Sequence, residues 1–318
     1  MRLWKLMAAV AAVASLATGG VQAQATAATA VVVPAEHADD GQLTVDPRLQ
    51  ALVKQAYAGV AGSVVCIRTV VTRDLPMVLP ETGLMGMVKS PIAIHGTGVV
   101  IDSTVDNGQT EYIILTNDHV ANPGLYFDVH ERFLTELKQS ATTTSPDVTE
   151  KSYIVDSSND EDASDDIQLR VIARTPGGDA AMMETVHTPR RLTVFHGRIG
   201  YAPREVKPGD LVITTGFPYG DDARTAFGRI VDTDYLHDLG VPHVDYSVDT
   251  PLQPGQSGSP VFLIDMGHTG MEPEVRFSLI GLLHAQEKGA HLMVPYSLWA
   301  GALAALPSRE HAAAMGGQ

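Results

Sequence analysis

Residues 254–260 read Pro-Gly-Gln-Ser-Gly-Ser-Pro and are followed directly by the apolar run Val261-Phe262-Leu263. Glycine reaches backbone conformations that other residues avoid, so a tight turn here brings consecutive N–H groups to one point beside the Ser257 hydroxyl. We predict that the N–H groups of Gly255 and Ser257 form an oxyanion hole, which stabilises the charged intermediate of acyl transfer. A plain glycine–serine turn is the alternative. It is disfavoured because a histidine and an aspartate suited to the same chemistry lie upstream.

These two upstream residues stand at the ends of apolar runs. His119 lies in residues 115–120, Leu-Thr-Asn-Asp-His-Val, and Asp179 lies in residues 177–183, Gly-Gly-Asp-Ala-Ala-Met-Met. A carboxylate at such an edge is partly buried, which is unfavourable unless a partner donates a hydrogen bond to it. Each residue alone is a weak signal, because the chain has 12 histidines and a histidine beside a strand is usually structural. With Ser257 they supply a nucleophile, a base and an orienting acid.

Short apolar runs separated by Gly, Pro and Asp continue from Ser63 onward, a pattern typical of an all-β protein. Their even spacing favours a sandwich or closed barrels. Helical spacing of apolar residues predicts a helix at 46–58, and a second helix is expected at 297–306. The predicted strands are Val64–Val70, Gly98–Asp102, Tyr112–Thr116, Gln168–Ala173, Leu211–Thr215, Val261–Ile264, Ser278–Leu283 and His291–Val294.

The N-terminus has the features of a secretory signal. Arg2 and Lys5 precede an apolar stretch at 6–17, and Val21-Gln22-Ala23 has the form of a signal-peptidase site. The apolar stretch is too short to span about 30 Å of hydrocarbon, so we expect no stable membrane span. Residues 1–23 are therefore predicted to be a signal peptide and residues 24–45 a flexible tether. The expected location is the periplasm or the outside of the cell.

Composition narrows the class of partner. The chain has 22 basic and 37 acidic residues and a net charge of −15, so its field would repel a nucleic acid. Hydrophobic residues make up 44%, enough for a substantial core in a chain of 318 residues. Cys66 is the single cysteine, so an internal disulfide is impossible. Its place in an apolar run predicts a packing residue rather than a nucleophile.

Two acidic regions raise the question of a metal site. Residues 127–166 are predicted to be a surface insertion, with an acidic stretch from 156 to 166. Carboxylates are calcium ligands, but the glycine turn and ligand spacing of a calcium loop are missing. A solvated loop is favoured and calcium binding stays open. The acids and histidines at 232–243 are interpreted as a polar loop, and we predict no metal and no cofactor.

The chain resembles the trypsin-like serine peptidases, and within them the HtrA/Deg group of exported proteases. The similarity covers residues 47–305, and 60 positions separate His119 from Asp179 while 78 separate Asp179 from Ser257. The matching segments occur in the family's order. They are residues 96–102 (Gly-Thr-Gly-Val-Val-Ile-Asp), 115–120, 178–181 (Gly-Asp-Ala-Ala), 215–220 (Thr-Gly-Phe-Pro-Tyr-Gly), 254–260 and 279–282 (Leu-Ile-Gly-Leu).

The resemblance implies an all-β fold of two packed six-stranded antiparallel β-barrels with short terminal helices. Residues 46–190 would hold the N-terminal helix and the first barrel, interrupted by the insertion at 127–166. Residues 191–306 would form the second barrel and the C-terminal helix, and 307–318 a tail. The triad His119, Asp179 and Ser257 would then assemble in the cleft between the barrels.

The resemblance also implies how substrate binds. An extended polypeptide, from an unfolded or flexible segment, would add as a β-strand along His284-Ala285-Gln286. The pocket for the residue before the scissile bond would lie at Thr250-Pro251-Leu252 and Leu283. It contains no carboxylate to pair with Lys or Arg, which predicts cleavage after Ala, Val or Leu.

Several residues depart from the family pattern. Ser259 replaces the usual second glycine, and His284 stands where relatives carry a Ser or Thr whose hydroxyl supports the triad aspartate. Whether His284 replaces that hydroxyl or perturbs the triad stays open. Gln256 stands where digestive relatives carry an aspartate that pairs with a new N-terminus, so no activating cut is expected. We expect no PDZ domain before Gln318, and the oligomeric state stays open.

The sequence therefore predicts an exported serine endopeptidase acting in protein quality control. An inactive protease-fold binding protein or chaperone is the alternative, and it is disfavoured because all three triad residue types are present. An esterase would carry a Gly-x-Ser-x-Gly elbow in an α/β chain, which is absent. A metalloprotease would carry His-Glu-x-x-His, which is also absent.

Overall fold

A computed structural model describes ten segments of the chain: residues 47–78, 85–106, 108–123, 149–155, 166–175, 177–188, 190–200, 204–237, 243–269 and 272–306. The first of two barrels closes in the order β1-β2-β3-β6-β5-β4, with β1 pairing to both β2 and β4. Its strands are β1 (Val64–Val78), β2 (Met85–Asp106), β3 (Gln109–Thr116), β4 (Thr149–Val155), β5 (Ile167–Arg174) and β6 (Ala181–Thr185).

The second barrel closes in the order β11-β8-β9-β10-β13-β12, through the antiparallel pairing of β11 with β12. Its strands are β8 (Leu211–Gly216), β9 (Arg224–His237), β10 (His243–Val248), β11 (Pro260–Thr269), β12 (Glu272–Glu287) and β13 (Ala290–Pro295). A two-residue strand, β7 (Arg198–Ile199), lies parallel to β12. The predicted fold of two six-stranded antiparallel barrels is confirmed.

Among the described residues three α-helices accompany the barrels: α1 (Pro47–Ala61), α2 (Asp118–Ala121) and α3 (Tyr296–Ala304). The sequence groups the first helix with the first barrel. In the structure, the Tyr57 ring of α1 contacts Phe262 and Phe277 of the second barrel, and its hydroxyl donates a hydrogen bond to Thr215 Oγ1 at 3.0 Å. The helix therefore packs on the second barrel as well. None of the helices among the described residues has the length and apolarity needed to cross a membrane.

Strand alternation explains why the barrel strands are nearly continuous apolar runs. In β3, Ile114 lies in the interior of the first barrel, whereas Leu115 faces the second. In β11, Leu263 lies in the interior of the second barrel, whereas Phe262 faces the first. Successive side chains point to opposite faces, and here both faces are buried. The two outer faces meet in a shared cluster with Trp299 of α3, which holds the barrels together.

Two local expectations are wrong. Strand β4 lies within the predicted insertion at 127–166, pairs with β1 and β5, and buries Ile154 in the first barrel. Its first residues are polar and exposed, which hid the strand in the sequence. The predicted polar loop at 232–243 contains parts of β9 and β10. The acidic stretch 156–165, the signal peptide, the tether and the tail lie outside the described residues.

Candidate active site

His119 and Asp179 come from two loops at one end of the first barrel. His119 is in α2, directly after β3, and Asp179 is in the turn between β5 and β6. The His119 ring Nδ1 lies 2.6 Å from Asp179 Oδ2, and the His119 backbone N–H donates to Asp179 Oδ1 at 3.0 Å. The Asn117 amide donates to the Asp179 carbonyl at 2.7 Å. Asp179 is thereby fixed at both its backbone and its carboxylate.

This contact determines the state of both groups. Burial raises the pKa of the Asp179 carboxyl, but the charges and hydrogen bonds of His119 and His284 oppose burial and hold it well below its usual range. An ionised carboxylate only accepts hydrogen bonds, so His119 Nδ1 carries the proton. The other ring nitrogen, Nε2, is left as the basic one, which is the tautomer a general base needs.

Ser257 is half-buried in the loop between β10 and β11, and this loop rests on the first barrel. The Thr97 N–H of β2 donates to the Ser257 carbonyl at 2.8 Å. The Thr116 hydroxyl, three residues before His119, donates to the Thr97 carbonyl at 2.7 Å. A Cβ on Gly258 would collide with the Thr97 carbonyl oxygen and with Thr116 Oγ1. The loop therefore needs glycine at 258 to approach the strand that leads to His119.

The residues before Ser257 form a type II turn. The Gln256 N–H donates to the Gln253 carbonyl at 3.0 Å, and Gly255 has φ +91°. Pro254 and Gly255 occupy the two central positions, where this turn favours proline and requires a positive φ. The Pro254 carbonyl accepts a hydrogen bond from the Tyr219 N–H at 2.6 Å. Since a trans peptide points its C=O and N–H in opposite directions, the Gly255 N–H is directed away from Tyr219.

Thr97 fixes the same turn from the first barrel. Its hydroxyl donates to the Gly255 carbonyl at 2.9 Å and accepts from the Phe217 N–H at 3.1 Å. The Gln256 side chain is buried, and its Oε1 accepts from the Gln253 N–H at 2.7 Å. Gln256 is thus satisfied within its own turn.

His284 has a buried side chain that lies between two carboxylates. Its Nδ1 is 3.4 Å from Asp179 Oδ2, and its Nε2 is 3.0 Å from Asp245 Oδ2. Asp245 is in β10 and is fully buried. Burial lowers the pKa of His284, but hydrogen bonds and charges of both carboxylates outweigh it and raise the pKa to about 9. The His284 side chain therefore faces Asp179, the aspartate of the predicted triad.

The remaining residues of the expected substrate groove are found at the end of β12. Leu283 is buried in the interior of the second barrel, and Leu252 packs against the same cluster. The Leu283 backbone bonds the loop at Gly258 and Ser259, at 2.8 and 2.9 Å. Ala285 and Gln286 pair with β13 on one side only among the described pairings. The opposite edge of these two residues is where an added strand would bind.

Sequence reasoning predicts His119, Asp179 and Ser257 as a triad, and it did not identify three residues that contact them or their loop. Thr97, Tyr219 and Asp245 contact the site from distant parts of the chain. Asp245 gives no local signal, because it is one of many acids in its region. Within the described segments no group of His, Cys, Asp and Glu side chains could hold a metal ion.

A family model for the trypsin-like peptidase domain matches residues 96–269, more than half of the chain. The chain belongs to the trypsin-like peptidase family. As a trypsin-like peptidase it is a serine protease, and His119, Asp179 and Ser257 all lie inside the matched region. A search of curated proteins gives no match.

Solved structures of proteases resemble this trypsin-like peptidase. A Ser-to-Ala mutant of Rv3671c from M. tuberculosis H37Rv, in an inactive form, is 16% identical with a TM-score of 0.45, over 81% of this chain and 92% of that one. A Ser-to-Ala variant of the HtrA-type protease AlgW, with a decapeptide, is 17% identical with a TM-score of 0.50, over 79% of this chain and 64% of that one. The second likeness is one of fold.

Proposed function

We propose that this trypsin-like peptidase is an exported endopeptidase that uses His119, Asp179 and Ser257 as its catalytic triad. The observation that carries the proposal is the 2.6 Å contact between His119 Nδ1 and the Asp179 carboxylate. It leaves His119 Nε2 basic for the Ser257 hydroxyl. Ser257 attacks the peptide carbonyl while His119 takes its proton, and the same proton is then given to the leaving amine. Water hydrolyses the resulting acyl-enzyme by the same route.

The oxyanion of the intermediate binds to the N–H groups of Gly255 and Ser257. The type II turn supports this role, because its Pro254 carbonyl is bonded to the Tyr219 N–H on the far side of the peptide. The donor at Gly255 is therefore oriented before substrate arrives. Donors that need no rearrangement stabilise a developing charge most effectively.

Substrate is an extended polypeptide from an unfolded or flexible segment, bound along the open edge at 284–286. Leu252 and Leu283 line an apolar pocket that accepts Ala, Val or Leu before the scissile bond. Asp249 does not threaten this preference, because its carboxylate is exposed and accepts a hydrogen bond from the Arg229 backbone N–H. Such an enzyme suits the removal of damaged proteins outside the cytoplasm.

Export follows from residues 1–23 acting as a signal peptide. The mature chain then begins at Gln24, with a tether at 24–45, the first barrel with its helix in 46–190, the second barrel in 191–306 and a tail at 307–318. The N-terminus of protein recovered from the periplasm or the medium tests this division. Edman sequencing or intact mass should give a start at Gln24, and retention of Met1 would contradict it.

The catalytic assignment is tested by peptide hydrolysis. Ser257→Ala and His119→Ala should each lower kcat by about 10⁴–10⁶ with folding retained. Ser259→Ala is the matched control, since the Ser259 hydroxyl is buried two residues away and makes no hydrogen bond within the described structure. That variant should keep kcat within about threefold. A folded wild type without hydrolysis would favour the alternative, an inactive binding protein or chaperone.

A further inference from the structure

His284 joins the two barrels through a buried pair of contacts. Its Nδ1 lies 3.4 Å from Asp179, which belongs to the first barrel, and its Nε2 lies 3.0 Å from Asp245 of β10 in the second. The exposed fractions of the two side chains from the second barrel are 4% for His284 and 0% for Asp245. Water therefore contributes little to holding these groups in place.

The protonation state of the ring follows from its neighbours. An ionised carboxylate has no proton to donate, so a ring nitrogen that bonds to it must carry one. Both nitrogens of His284 face carboxylates, and hydrogen bonds from the two acids raise its pKa to about 9. The ring is accordingly an imidazolium at neutral pH. It holds Asp179 with one N–H and is itself held by Asp245 through the other.

Asp245 also restores the local charge. A cation placed directly beside Asp179 would cancel the negative charge that stabilises His119 when it becomes protonated. With Asp245 ionised, the group of Asp179, His284 and Asp245 carries one net negative charge, the same as a lone aspartate. His119 also contacts this group, on the far side of Asp179.

We propose that His284 and Asp245 form a positioning pair for the triad, in which His284 orients the Asp179 carboxylate and Asp245 orients and balances His284. This inference rests on the proposed role of Asp179 in catalysis. It explains why this chain has a histidine at the position where the trypsin-like peptidases that it resembles carry a Ser or Thr hydroxyl. It also explains why β10 buries a carboxylate in the second barrel, where an unpaired charge would be strongly unfavourable.

Two double variants separate positioning from simple packing. Both His284→Thr with Asp245→Asn and His284→Ala with Asp245→Asn remove the buried ion pair, so neither leaves an unpaired charge. Only the threonine provides a hydroxyl that can donate to Asp179. A donor to a charged group is worth about 1.5–3 kcal/mol, which corresponds to about 10–100-fold in rate. The alanine variant should therefore have a kcat 10–100-fold below that of the threonine variant.

The same experiment gives two further readouts. KM should agree within about twofold between the two variants, because the edge at 284–286 would bind substrate through its backbone, whereas the side chain of residue 284 is buried. The threonine variant should keep kcat within about fivefold of the wild type. Titration of active sites with a fluorophosphonate corrects each kcat for the fraction of folded enzyme. Equal kcat values for the two double variants would overturn the proposal.

A spectroscopic measurement does not depend on the folding of these variants. Ring ¹⁵N shifts of His284, recorded in the Ser257→Ala protein to prevent self-cleavage, should show two protonated nitrogens at pH 7.5. A neutral ring with one protonated nitrogen would contradict the pair. A different result would contradict the proposed function itself: a folded wild type that neither reacts with the fluorophosphonate nor cleaves peptides.

Discussion

At the scale of single residues, the proposed peptide hydrolysis depends on the contact between His119 and Asp179. Asp179 accepts from the ring and from the backbone of the same histidine, at 2.6 and 3.0 Å. The backbone bond fixes where the carboxylate lies, and the ring bond fixes the tautomer. Burial by itself would favour the neutral acid, so the direction of the Asp179 pKa, well below normal, reflects its two histidine partners.

Asp179→Asn tests the tautomer. An amide nitrogen facing His119 Nδ1 favours the ring with its proton on Nε2, which cannot accept the proton of Ser257. We expect kcat to fall by about 10⁴, as measured by peptide hydrolysis. Asp118→Asn is the control. Asp118 directly precedes His119 in the sequence, but its carboxylate accepts hydrogen bonds from Arg174, at 2.5 and 2.7 Å. A loss of similar size in both variants would contradict the assignment of Asp179.

The raised pKa of His284 predicts how stability depends on pH. Its pKa is about 9 in the folded protein against 6.5 for an ordinary histidine. The bound proton therefore stabilises the folded state fully below pH 6.5, and this stabilisation is lost as the pH rises through 9. This contribution to the free energy of unfolding is on the order of 3 kcal/mol. Asp179, whose pKa is lowered, contributes its own pH dependence only in acid, outside this window.

Urea unfolding at pH 6.5, 8 and 9.5 measures this effect. The free energy of unfolding should fall across the series in the wild type. The fall should be smaller in the variant with His284→Thr and Asp245→Asn, which lacks the titrating ring. Parallel curves for the two proteins would show that His284 does not carry the raised pKa.

The element that would shape the proposed oxyanion hole is the type II turn at 253–256. Its sequence, Gln-Pro-Gly-Gln, suits the turn, because proline fixes φ at the first central position and glycine supplies φ +91° at the second. Two other segments fix the turn, through Thr97 of β2 and Tyr219 of the 3₁₀ turn Pro218–Gly220. Tyr219 itself has φ +58°, an uncommon conformation for a residue with a side chain.

Gly255→Ala should disable this element. A Cβ there would collide with the Phe217 carbonyl and come within 2.6 Å of the Tyr219 nitrogen, so the turn must change. Loss of an oxyanion donor costs about 10²–10³ in kcat. Gly209→Ala is a matched control, because Gly209 has the same φ of +91° and an added Cβ there would meet no atom within 4 Å. It should lose stability to backbone strain and keep kcat, whereas a similar loss of kcat in both variants would count against the turn.

Local sequence pattern predicts strands where both faces are apolar and fails where they are not. The centres of β3, β8 and β11 were evident from continuous apolar runs, since each strand is buried in a barrel and against the other barrel. Strand β4 begins with the exposed residues Thr149, Glu150 and Lys151, and β10 contains a buried aspartate. Pairing with neighbouring strands overrides the polar pattern in both.

The sequence predicts those residues of the candidate site whose side-chain type and local sequence both indicate a chemical role. Ser257, His119 and Asp179 each stand in a recognisable local stretch. Thr97 and Asp245 reach the site by contacts across barrels or across a sheet, over sequence separations of 158 between Thr97 and Gly255 and of 39 between Asp245 and His284. No local pattern encodes such a contact.

At the scale of the whole molecule, the proposed active site lies where the two barrels meet. The first barrel holds His119 and Asp179, the second holds Ser257, and the two barrels pack on each other through the shared apolar cluster. Thr97 and His284 are polar connections across the same boundary. Because Gln256 is bonded within its own turn, we expect the proposed site to need no new N-terminus to order it.

Specificity is a property of the assembled cleft. The proposed pocket is formed by the apolar residues Leu252 and Leu283, which offer no carboxylate to a basic side chain, and burying such a cation unpaired would cost several kcal/mol. Each fitted methylene gains only about 0.8 kcal/mol, so the preference among Ala, Val and Leu should be graded. Digestion of a peptide library, analysed by mass spectrometry, should give cuts mainly after these residues. A majority of cuts after Lys or Arg would overturn the pocket.

The central claim is that Ser257 is a nucleophile activated by His119 and Asp179 without a processing cut. Its most direct test is fluorophosphonate labelling of the chain beginning at Gln24, followed by peptide mapping and an intact mass. The adduct should lie on Ser257 in the uncut wild type, persist in Ser259→Ala and disappear in Ser257→Ala. A folded wild-type chain that stays unlabelled, or a label that persists in Ser257→Ala, would contradict the claim.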